Sequence, residues 1–346
     1  MTKVALGLSG GVDSAVAASM LREAGYAPIG VFLKMHRVGN EETAARKAAE
    51  ELGIPFYLKD MTVLFEEQVI RPFAAYYKRG ETPNPCILCN PAVKFRGLLE
   101  AADALGCEKI ATGHYAAVEQ RGSLHLIKRI PGQAKDQSYM LYGLDEACRS
   151  RLLLPLGIDK GKEAVRALAA KKGLSAAQKK DSLDICFLEE DCSHGAFIEE
   201  YTGSPPAPGE IVSVSGARLG THEGICHYTV GQRRGLGVSA DQRLYVTALD
   251  PEKNTVTLGP KEMAQQTEVH LRDVLLHCPL PEKGLTVKVR SRDKDTPARL
   301  LLSGKGTGIL TFEQPKMAPA PGQSAVFYCE DFVIGGGVIV AANKIL

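Results

Sequence analysis

The feature that most constrains this chain is a pair of adjacent glycines set between an apolar run and a helix near the N-terminus. Residues 3–8 form the apolar run, residues 9–14 read Ser-Gly-Gly-Val-Asp-Ser, and residues 14–24 predict a helix. Glycines allow a tight turn with bare backbone N–H groups, and a helix N-terminus adds partial positive charge. The pattern predicts a phosphate site, with a plain strand-to-helix turn capped by Asp or Ser as the alternative.

Strand and helix signals alternate through the rest of the first third. Further strands are predicted at 28–33, 54–58 and 109–112, and helices at 41–52, 61–79 and 91–105. Strands separated by helices pair in parallel, with the helices covering both faces of the sheet. The fold class predicted for this part is therefore α/β, with a Rossmann-like parallel sheet.

The pattern changes twice further along the chain. Residues 145–203 are mainly helical, and residues 204–209 read Ser-Pro-Pro-Ala-Pro-Gly, which breaks regular structure. Short β-branched runs then follow at 210–214, 243–249, 254–258, 285–290, 298–302, 308–312, 324–329 and 333–341. We predict three domains, a nucleotide-binding domain at 1–144, a small central domain at 145–208 and a C-terminal β-barrel at 209–346.

Composition excludes some classes of protein. The 346 residues contain no uninterrupted apolar stretch near 18 residues and begin without a signal-peptide layout, so we expect a cytoplasmic protein that does not enter a membrane. The net charge of +2 does not by itself identify a nucleic-acid partner. Nine cysteines, an odd and scattered set, are expected to be thiols, metal ligands or catalytic groups in a reducing compartment.

Three of the cysteines have chemical context. Cys86 and Cys89 form a C-x-x-C in a proline-rich loop before a helix, close enough to share a metal or a disulfide. A nearby helix N-terminus is expected to lower a thiol pKa there. Cys186 stands between Ile185 and Phe187, which alone is typical of a buried apolar side chain. The remaining cysteines are interpreted as structural: Cys107, Cys148, Cys192, Cys226, Cys278 and Cys329.

The hexapeptide at 9–14 is neither a Walker loop nor a Gly-x-Gly-x-x-Gly fingerprint. It resembles the pyrophosphate loop of the ATP-pyrophosphatase superfamily, whose members adenylate a substrate and release pyrophosphate. This resemblance refines the expected sheet to the ATP-pyrophosphatase type. It does not select a substrate.

Motifs spread over nearly the whole chain make the resemblance more specific. They resemble, in the same order, those of bacterial tRNA-specific 2-thiouridylases. The motifs are Gly-Leu-Ser-Gly-Gly-Val-Asp-Ser at 7–14, Thr-Pro-Asn-Pro at 82–85, Ala-Thr-Gly-His-Tyr at 111–115, Lys-Asp-Gln-Ser-Tyr at 135–139, Lys-Asp-Ser-Leu-Asp-Ile-Cys-Phe at 180–187, Tyr-Thr-Val-Gly-Gln-Arg-Arg-Gly-Leu-Gly at 228–237 and Ala-Pro-Gly-Gln at 320–323.

This resemblance implies an ATP-dependent tRNA sulfurtransferase. ATP, with Mg²⁺, would adenylate O2 of the wobble uridine, and sulfur carried as a persulfide on Cys186 would displace AMP. Cys89 matches the second catalytic thiol, which would free the sulfur by forming a disulfide with Cys186. The products would be 2-thiouridine, AMP and pyrophosphate. The implied partners are tRNA and a sulfur source, either a donor protein or hydrosulfide.

The same resemblance assigns contact residues. Those implied for ATP are Gly7, Leu8, Ser9, Gly10, Gly11, Val12, Asp13, Ser14, Leu33 and Gly113. Those implied for tRNA are Asn84, Pro85, Cys86, His114, Lys135, Asp136, Gln137, Arg290, Ser291, Arg292 and Gln323. Basic loops contact phosphates and polar side chains read exposed bases, so these residue types suit an RNA substrate.

The chain departs from the family pattern at Cys86, where many members carry aspartate. The family pattern implies base contact or proton transfer for that aspartate, and a thiol cannot perform either task as a carboxylate does. The replacement also creates a third thiol, so that Cys86, Cys89 and Cys186 are candidate ligands of a 4Fe–4S cluster with one iron open to hydrosulfide. A persulfide route without metal and a zinc site with an open position are the alternatives.

Two other functions compete with this interpretation. A different ATP-pyrophosphatase enzyme, adenylating a small molecule or a protein carboxylate, would use the loop at 9–14 but leave Cys89 and Cys186 without a role. An RNA-binding module with a relic nucleotide fold would not need the intact loop. Dependence of ATP consumption on unmodified tRNA distinguishes the three.

Overall fold

A parallel sheet flanked by helices forms the N-terminal part of the computed structural model. The structure describes residues 1–340 apart from 37–40, 133–134, 159–160, 180–184, 190–191, 204–206 and 305. The elements of this part, in chain order, are β1 Lys3–Gly7, α1 Val12–Glu23, β2 Ala27–Lys34, α2 Glu41–Leu52, β3 Phe56–Asp60, α3 Thr62–Phe65, α4 Arg71–Lys78, α5 Pro85–Cys89, α6 Arg96–Leu105, β4 Lys109–Ala111, β5 Ala117–Arg121, β6 Leu124–Lys128, α7 Glu146–Arg149, β7 Leu152–Leu153, α8 Gly161–Lys171 and α9 His194–Thr202.

The strand order places a binding crevice beside β1. The order is β3-β2-β1-β4-β7 with all pairs parallel, so the chain leaves β1 in one direction and returns to its other side at β4. Val4, Ala5 and Leu6 are fully buried because helices cover both faces. Ligands bind in such sheets where the strand order reverses, outside the carboxyl ends of the strands. The predicted parallel sheet is confirmed.

Two long predicted helices contain π turns. The helix predicted at 61–79 is formed by α3 and α4 joined through the π segment Glu66–Ile70, and that predicted at 91–105 begins with the π segment Asn90–Phe95. Such turns are rare and occur often at functional sites. The second one directly follows Cys89. Among the helices of the described ranges, none combines the length and apolarity needed to cross a membrane.

Part of the predicted central domain packs with the nucleotide sheet. β7 pairs with β4, and Val165 and Ala169 of α8 lie in the same apolar core as Val16 of α1. A boundary after residue 144 therefore separates elements that contact one another, whereas one after 208 falls just before the first strand of the β region. The division into three domains stays a prediction.

The C-terminal part contains a small sheet and a closed barrel. Its strands are β8 Gly209–Ser213, β9 Arg218–His222, β10 Tyr245–Asp250, β11 Thr255–Gly259, β12 Gln265–Leu276, β13 Leu285–Lys288, β14 Thr296–Gly304, β15 Thr307–Met317, β16 Ser324–Cys329 and β17 Phe332–Val340. Strands β8–β11 form a four-stranded sheet in the order β10-β11-β8-β9. The order β12-β15-β14-β13-β16-β17, closed by pairing of β12 with β17, makes a six-stranded barrel. The predicted C-terminal barrel is confirmed, and the small sheet precedes it.

A hairpin from the N-terminal part extends the barrel sheet. β5 and β6 pair antiparallel, and Lys128 at the end of β6 is the register partner of Phe332 in β17. The Arg129 Nε donates to Asp331 at 3.0 Å and its Nη1 to Asp295. The sequence analysis did not predict this hairpin. It connects the nucleotide sheet to the barrel through backbone pairing and ion pairs.

Candidate functional site

A cleft with a volume of about 370 Å³ opens at the carboxyl ends of β1, β2 and β4. Its walls come from the glycine loop after β1, the end of β2, helix α5 and the segment around Cys186. The sequence-predicted residues that line it are Gly7, Leu8, Ser9, Asp13, Ser14, Leu33, Pro85, Cys86, Cys89, Gly113, His114, Gln137 and Cys186. Gly10, Gly11 and Val12 form the turn behind this surface. The crevice expected from the strand order and the predicted thiol site are thus one cavity.

Internal hydrogen bonds shape the glycine loop. The Ser14 hydroxyl donates to the Gly11 carbonyl at 3.0 Å and accepts from the Ser9 N–H at 3.2 Å. Gly10 has φ +71°, and a Cβ there would lie 2.6 Å from the backbone nitrogen of Ala45. Only glycine fits this left-handed, closely packed position. These hydrogen bonds and the close packing at Gly10 therefore fix the conformation of the loop without a bound ligand.

Asp13 is the charged centre of the loop. Its carboxylate accepts hydrogen bonds from the Tyr115 hydroxyl at 2.6 Å and from Lys162 Nζ at 2.8 Å to each oxygen, and Lys135 Nζ lies 3.7 Å away. It does not cap α1, whose N-cap position is Gly11. Asp13 thus holds the ammonium groups of Lys162 and Lys135 close to the loop in which phosphates would bind. Sequence reasoning assigned no role to Lys162 or Tyr115.

The turn after β4 presses against this loop. A Cβ on Gly113 would lie 2.8 Å from the carbonyl carbon of Asp13, so the two backbones meet in direct contact. The next residue, His114, has its Nδ1 2.7 Å from the Thr112 hydroxyl and stacks on Phe95 with ring centroids 5.8 Å apart. Burial, assisted by Lys94, holds the pKa of His114 well below its usual range. His114 is therefore neutral at physiological pH.

Helix α5 presents two thiols in different environments. The Asn84 side chain caps the helix by accepting from the Cys86 N–H at 3.1 Å, and Cys86 is exposed. Cys89 is 6% exposed, with its sulfur 3.7 Å from that of Met35. Burial raises the pKa of Cys89, and Lys94 opposes this only in part. The expected lowering of a thiol pKa is wrong for Cys89, because loss of hydration outweighs the local positive charge.

An aromatic anchor holds Cys186 in the same cleft. The neighbouring Phe187 packs edge-on against Phe65 at 5.7 Å and Phe73 at 5.3 Å between ring centroids. The Cys186 side chain is accessible to solvent, but it lies inside the cleft, where protein atoms replace much of the water around it. This loss of hydration, together with the Cys89 and Cys86 thiols, raises the pKa of Cys186 to about 12. Lys180, Asp181, Ser182 and Asp184 of the motif lie outside the described residues.

Lys94 is a second cation that sequence reasoning missed. It lies on the π segment after Cys89, lines the cleft, and lowers the pKa of both Cys89 and Cys186 against the effect of burial. All nine cysteines lie in described residues and are free thiols. The cleft therefore joins a phosphate-type loop, three thiols and a cation suited to a thiolate.

The loop at 135–137 contacts residues of the cleft and also contacts the barrel. Lys135 approaches Asp13, and the Gln137 side-chain oxygen accepts the Tyr115 N–H at 2.9 Å. The Asp136 carboxylate accepts the Ser138 N–H at 3.1 Å and lies 3.4 Å from Lys288 Nζ. Asp136 thus connects this loop to the barrel.

Other residues predicted to contact tRNA lie away from the cleft walls. Arg290 donates to the carbonyls of Val230 and Ala318 at 3.0 Å each, and Ser291 and Arg292 follow it on the barrel. The Gln323 amide donates to the Thr82 carbonyl at 2.9 Å, beside the loop that leads to α5. Asn84 lines a neighbouring cavity of about 340 Å³ between α5 and the barrel. The structure does not bring Arg290, Ser291, Arg292, Gln323 and Asn84 into the cleft with the three thiols.

Three consecutive family models match the chain. They are described as the tRNA methyl transferase HUP domain over residues 2–190, the tRNA methyl transferase PRC-barrel domain over 195–260, and the aminomethyltransferase beta-barrel domain over 266–339. The first covers the sheet and the cleft. The second and third cover the small sheet and the barrel.

Curated relatives match over almost their whole length. The tRNA-specific 2-thiouridylase MnmA of Acetivibrio thermocellus is 40% identical, over 97% of this chain and 99% of the relative. The proteins of the same name from Pelotomaculum thermopropionicum and Chlorobium luteolum are 39% and 41% identical, each over 98% of this chain and over 97% and 96% of the relative.

Proposed function

The chain belongs to the tRNA-specific 2-thiouridylase family, and from this membership we propose that it uses ATP to replace O2 of a tRNA uridine by sulfur. The observation that carries the proposal is a single cleft that holds both the loop for ATP phosphates and three cysteine thiols. Adenylation and sulfur transfer at one carbon atom require these two groups to reach the same base.

The first half of the reaction uses the glycine loop. Its N–H groups and the start of α1 would hold the ATP phosphates, with the adenine near Leu33 and the ribose near Gly113. The uridine O2 attacks the α-phosphorus, and pyrophosphate leaves. Lys162 and Lys135, gathered by Asp13, are placed to stabilise the pyrophosphate charge. Because both Asp13 oxygens already accept hydrogen bonds from Lys162, we expect Mg²⁺ to enter the cleft bound to the ATP phosphates and not to this carboxylate.

The second half uses the thiols. The terminal sulfur of a Cys186 persulfide would attack C2 of the adenylated uridine, and AMP leaves with the former O2. Attack of the Cys89 thiolate on Cys186 Sγ then cleaves the sulfur–sulfur bond, leaving sulfur on the base and a Cys89–Cys186 disulfide. A thiol reductant restores both cysteines. Lys94 favours the thiolates that these steps need.

Cys86 supports a second route for sulfur. Three thiols lining one cleft beside Lys94 fit the donor set of a 4Fe–4S cluster, which would supply an open iron for hydrosulfide. The fit to a single zinc ion is poorer. Within the described residues, three metal-type donor atoms come within 4.8 Å of one another only at Glu199, Cys226 and His227, and not at the three cleft thiols.

We propose separate contact residues for the reacting uridine and for the rest of the tRNA. The target uridine enters the cleft past Pro85 and His114, while Lys135, Asp136, Gln137, Arg290, Ser291, Arg292, Gln323 and Asn84 contact the surrounding tRNA. Contacts outside the cleft suit this role, because a tRNA extends far beyond the one base that reacts. We expect a cytoplasmic donor protein to transfer sulfane sulfur from its own persulfide to Cys186 in the persulfide route, and hydrosulfide to supply the sulfur in the cluster route.

The test is tRNA-dependent formation of AMP and 2-thiouridine by the purified protein. ATP, Mg²⁺, unmodified tRNA and a sulfur source should give both products, and AMP should require the tRNA. The sulfur source is a persulfide donor for the persulfide route and hydrosulfide for the cluster route. Asp13→Ala should lose AMP formation, whereas Cys186→Ala should form AMP but no 2-thiouridine. AMP formed without tRNA, on a small carboxylic acid, would instead support a different adenylating enzyme. Binding of tRNA without either product would support an RNA-binding module.

A further inference from the structure

A second group of metal-type ligands lies outside the cleft, where α9 meets the turn Ile225–His227. The Cys226 sulfur, a His227 ring nitrogen and a Glu199 carboxylate oxygen all lie within 4.8 Å of one another. The group is the only three-donor cluster of this kind in the parts of the chain that the structure describes. The sequence alone gave Cys226 a structural role.

The backbone is shaped around this group. A Cβ on Gly195 would lie 2.1 Å from His227 Nδ1, so any side chain there would displace the imidazole. The other ring nitrogen, Nε2, lies 2.7 Å from a Glu199 oxygen, which fixes the ring orientation. Cys226 is 7% exposed, whereas His227 and Glu199 are half-buried. The sulfur is thus inside and the polar ligands face outward.

A second histidine borders the group. His194, the first residue of α9, stacks on Tyr77 with ring centroids 4.9 Å apart. Its Nε2 is buried and makes no well-aligned hydrogen bond with the described residues, while the imidazole interacts with the backbone of Cys226. A buried, unsatisfied imidazole nitrogen is unusual in a folded protein and calls for a partner. A metal ion or a metal-bound water beside Cys226 and His227 would provide one.

We propose that Glu199, Cys226 and His227 bind a zinc ion that fastens α9 to the turn Ile225–His227. One thiolate, one imidazole and one carboxylate are ligands that zinc accepts, and water or His194 completes the tetrahedron. Zinc bonds of about 2.0–2.3 Å place ligand atoms roughly 3.4–3.8 Å apart. The present separations, from 2.7 Å between His227 Nε2 and the Glu199 oxygen to at most 4.8 Å within the group, bracket that geometry. Binding exchanges the Cys226 proton for the metal, without any redox step.

The position of α9 gives the ion a structural role next to the cleft. Phe197 on α9 packs against Phe187, with ring centroids 5.2 Å apart, and against Phe73 on α4. Phe187 is the residue next to Cys186. An ion that fixes α9 would therefore stiffen the support of the Cys186 segment without touching the substrate.

Zinc titration of the full chain tests the proposal. A variant with Cys86, Cys89 and Cys186 all changed to alanine removes the cleft thiols, so binding there cannot be mistaken for the new site. In competition with a chromophoric chelator this variant should bind one equivalent of Zn²⁺. With Co²⁺ it should show thiolate charge-transfer absorption in the near ultraviolet. Addition of Zn²⁺ should raise its Tm.

Substitutions locate the ion. Added to that variant, Cys226→Ala should abolish the thiolate–cobalt absorption and weaken zinc binding at least tenfold, while Cys192→Ala, a half-buried cysteine just before α9, should change neither. His227→Gln and Glu199→Gln change half-buried groups and serve if Cys226→Ala does not fold, as checked by circular dichroism. The proposal is wrong if the starting variant binds no zinc, or if binding survives both His227→Gln and Glu199→Gln.

Discussion

Lys162 on α8 donates to both carboxylate oxygens of Asp13, at 2.8 Å each, and so connects the glycine loop to a helix that follows 149 residues later in the chain. The pair brings a cation to the place where pyrophosphate would leave. Because Asp13 also accepts from Tyr115, its carboxylate is fixed in position and determines where the ammonium lies. Lys162 is thus a candidate contact for the leaving group.

Lys162→Met should therefore slow adenylation. Charge-assisted hydrogen bonds contribute about 1.5–3 kcal/mol, which corresponds to roughly a 10- to 150-fold loss in kcat/KM for tRNA-dependent AMP formation. Lys171→Met, an exposed change in the last turn of the same helix, is the matched control and should keep full activity. Equal activity of the two variants would remove Lys162 from the site.

Cys86→Ala separates the two sulfur routes. If Cys86 is a cluster ligand, this variant should lose both brown absorbance and thiolation after anaerobic reconstitution with iron and sulfide. Cys86→Asp restores the commoner family pattern and should keep activity if the persulfide route operates. Cys329→Ala, a half-buried cysteine of the barrel, controls for loss of a thiol elsewhere. Full thiolation by an iron-free Cys86→Ala protein would exclude the cluster.

The raised thiol pKa values predict a pH dependence of alkylation. Only thiolates react with iodoacetamide, and Cys186 has a pKa of about 12, so its rate should rise about tenfold per pH unit from pH 8 to 10. A thiol with an ordinary pKa, about 8.5, levels off within that range. Lys94→Met removes the cation that lowers the pKa of Cys186 and should slow alkylation at every pH. Mass spectrometry of labelled peptides gives the rates, and a plateau below pH 9 would contradict the expected shift.

Phe187→Leu tests the anchor of the Cys186 segment. The smaller side chain leaves space beside Phe65 and Phe73, so Cys186 should lose its fixed position and thiolation should fall at least about tenfold. AMP formation should change little, because the glycine loop is not touched. Phe312→Leu, an equally conservative change in the barrel core, should spare thiolation. Parallel losses of AMP and 2-thiouridine would mean that Phe187 supports the fold and not the thiol.

The sequence correctly predicted the elements whose signal lies within a few neighbouring residues. The parallel sheet and the barrel were predicted from short apolar runs, whose periodicity and whose flanking glycines and prolines can be recognised within a few residues. The hairpin β5–β6 was missed although its own pairing is local, because β5 contains Glu119, Gln120 and Arg121 and forms no apolar run. β7 was missed because a two-residue strand carries no periodic signal.

The site shows the same limit. The glycine loop and the C-x-x-C are contiguous, so their chemistry can be read directly from the chain. Lys94 and Lys162 are two among 42 lysines and arginines, and no spacing distinguishes them before folding brings them to the cleft. The pKa direction of Cys89 was wrong for a related reason. Helix position is a sequence property, whereas burial depends on the packing of distant segments.

The pairing of β6 with β17 has a consequence for biosynthesis. Arg129, just after β6, meets Asp331 only after 202 further residues have left the ribosome. During that interval the end of β6 at Lys128 lacks its partner Phe332 in β17, and an unpaired strand end can associate with other nascent chains. Premature termination anywhere before β17 would make this exposure permanent. We expect such truncated products to aggregate or to depend on chaperones, even when the nucleotide sheet itself has folded.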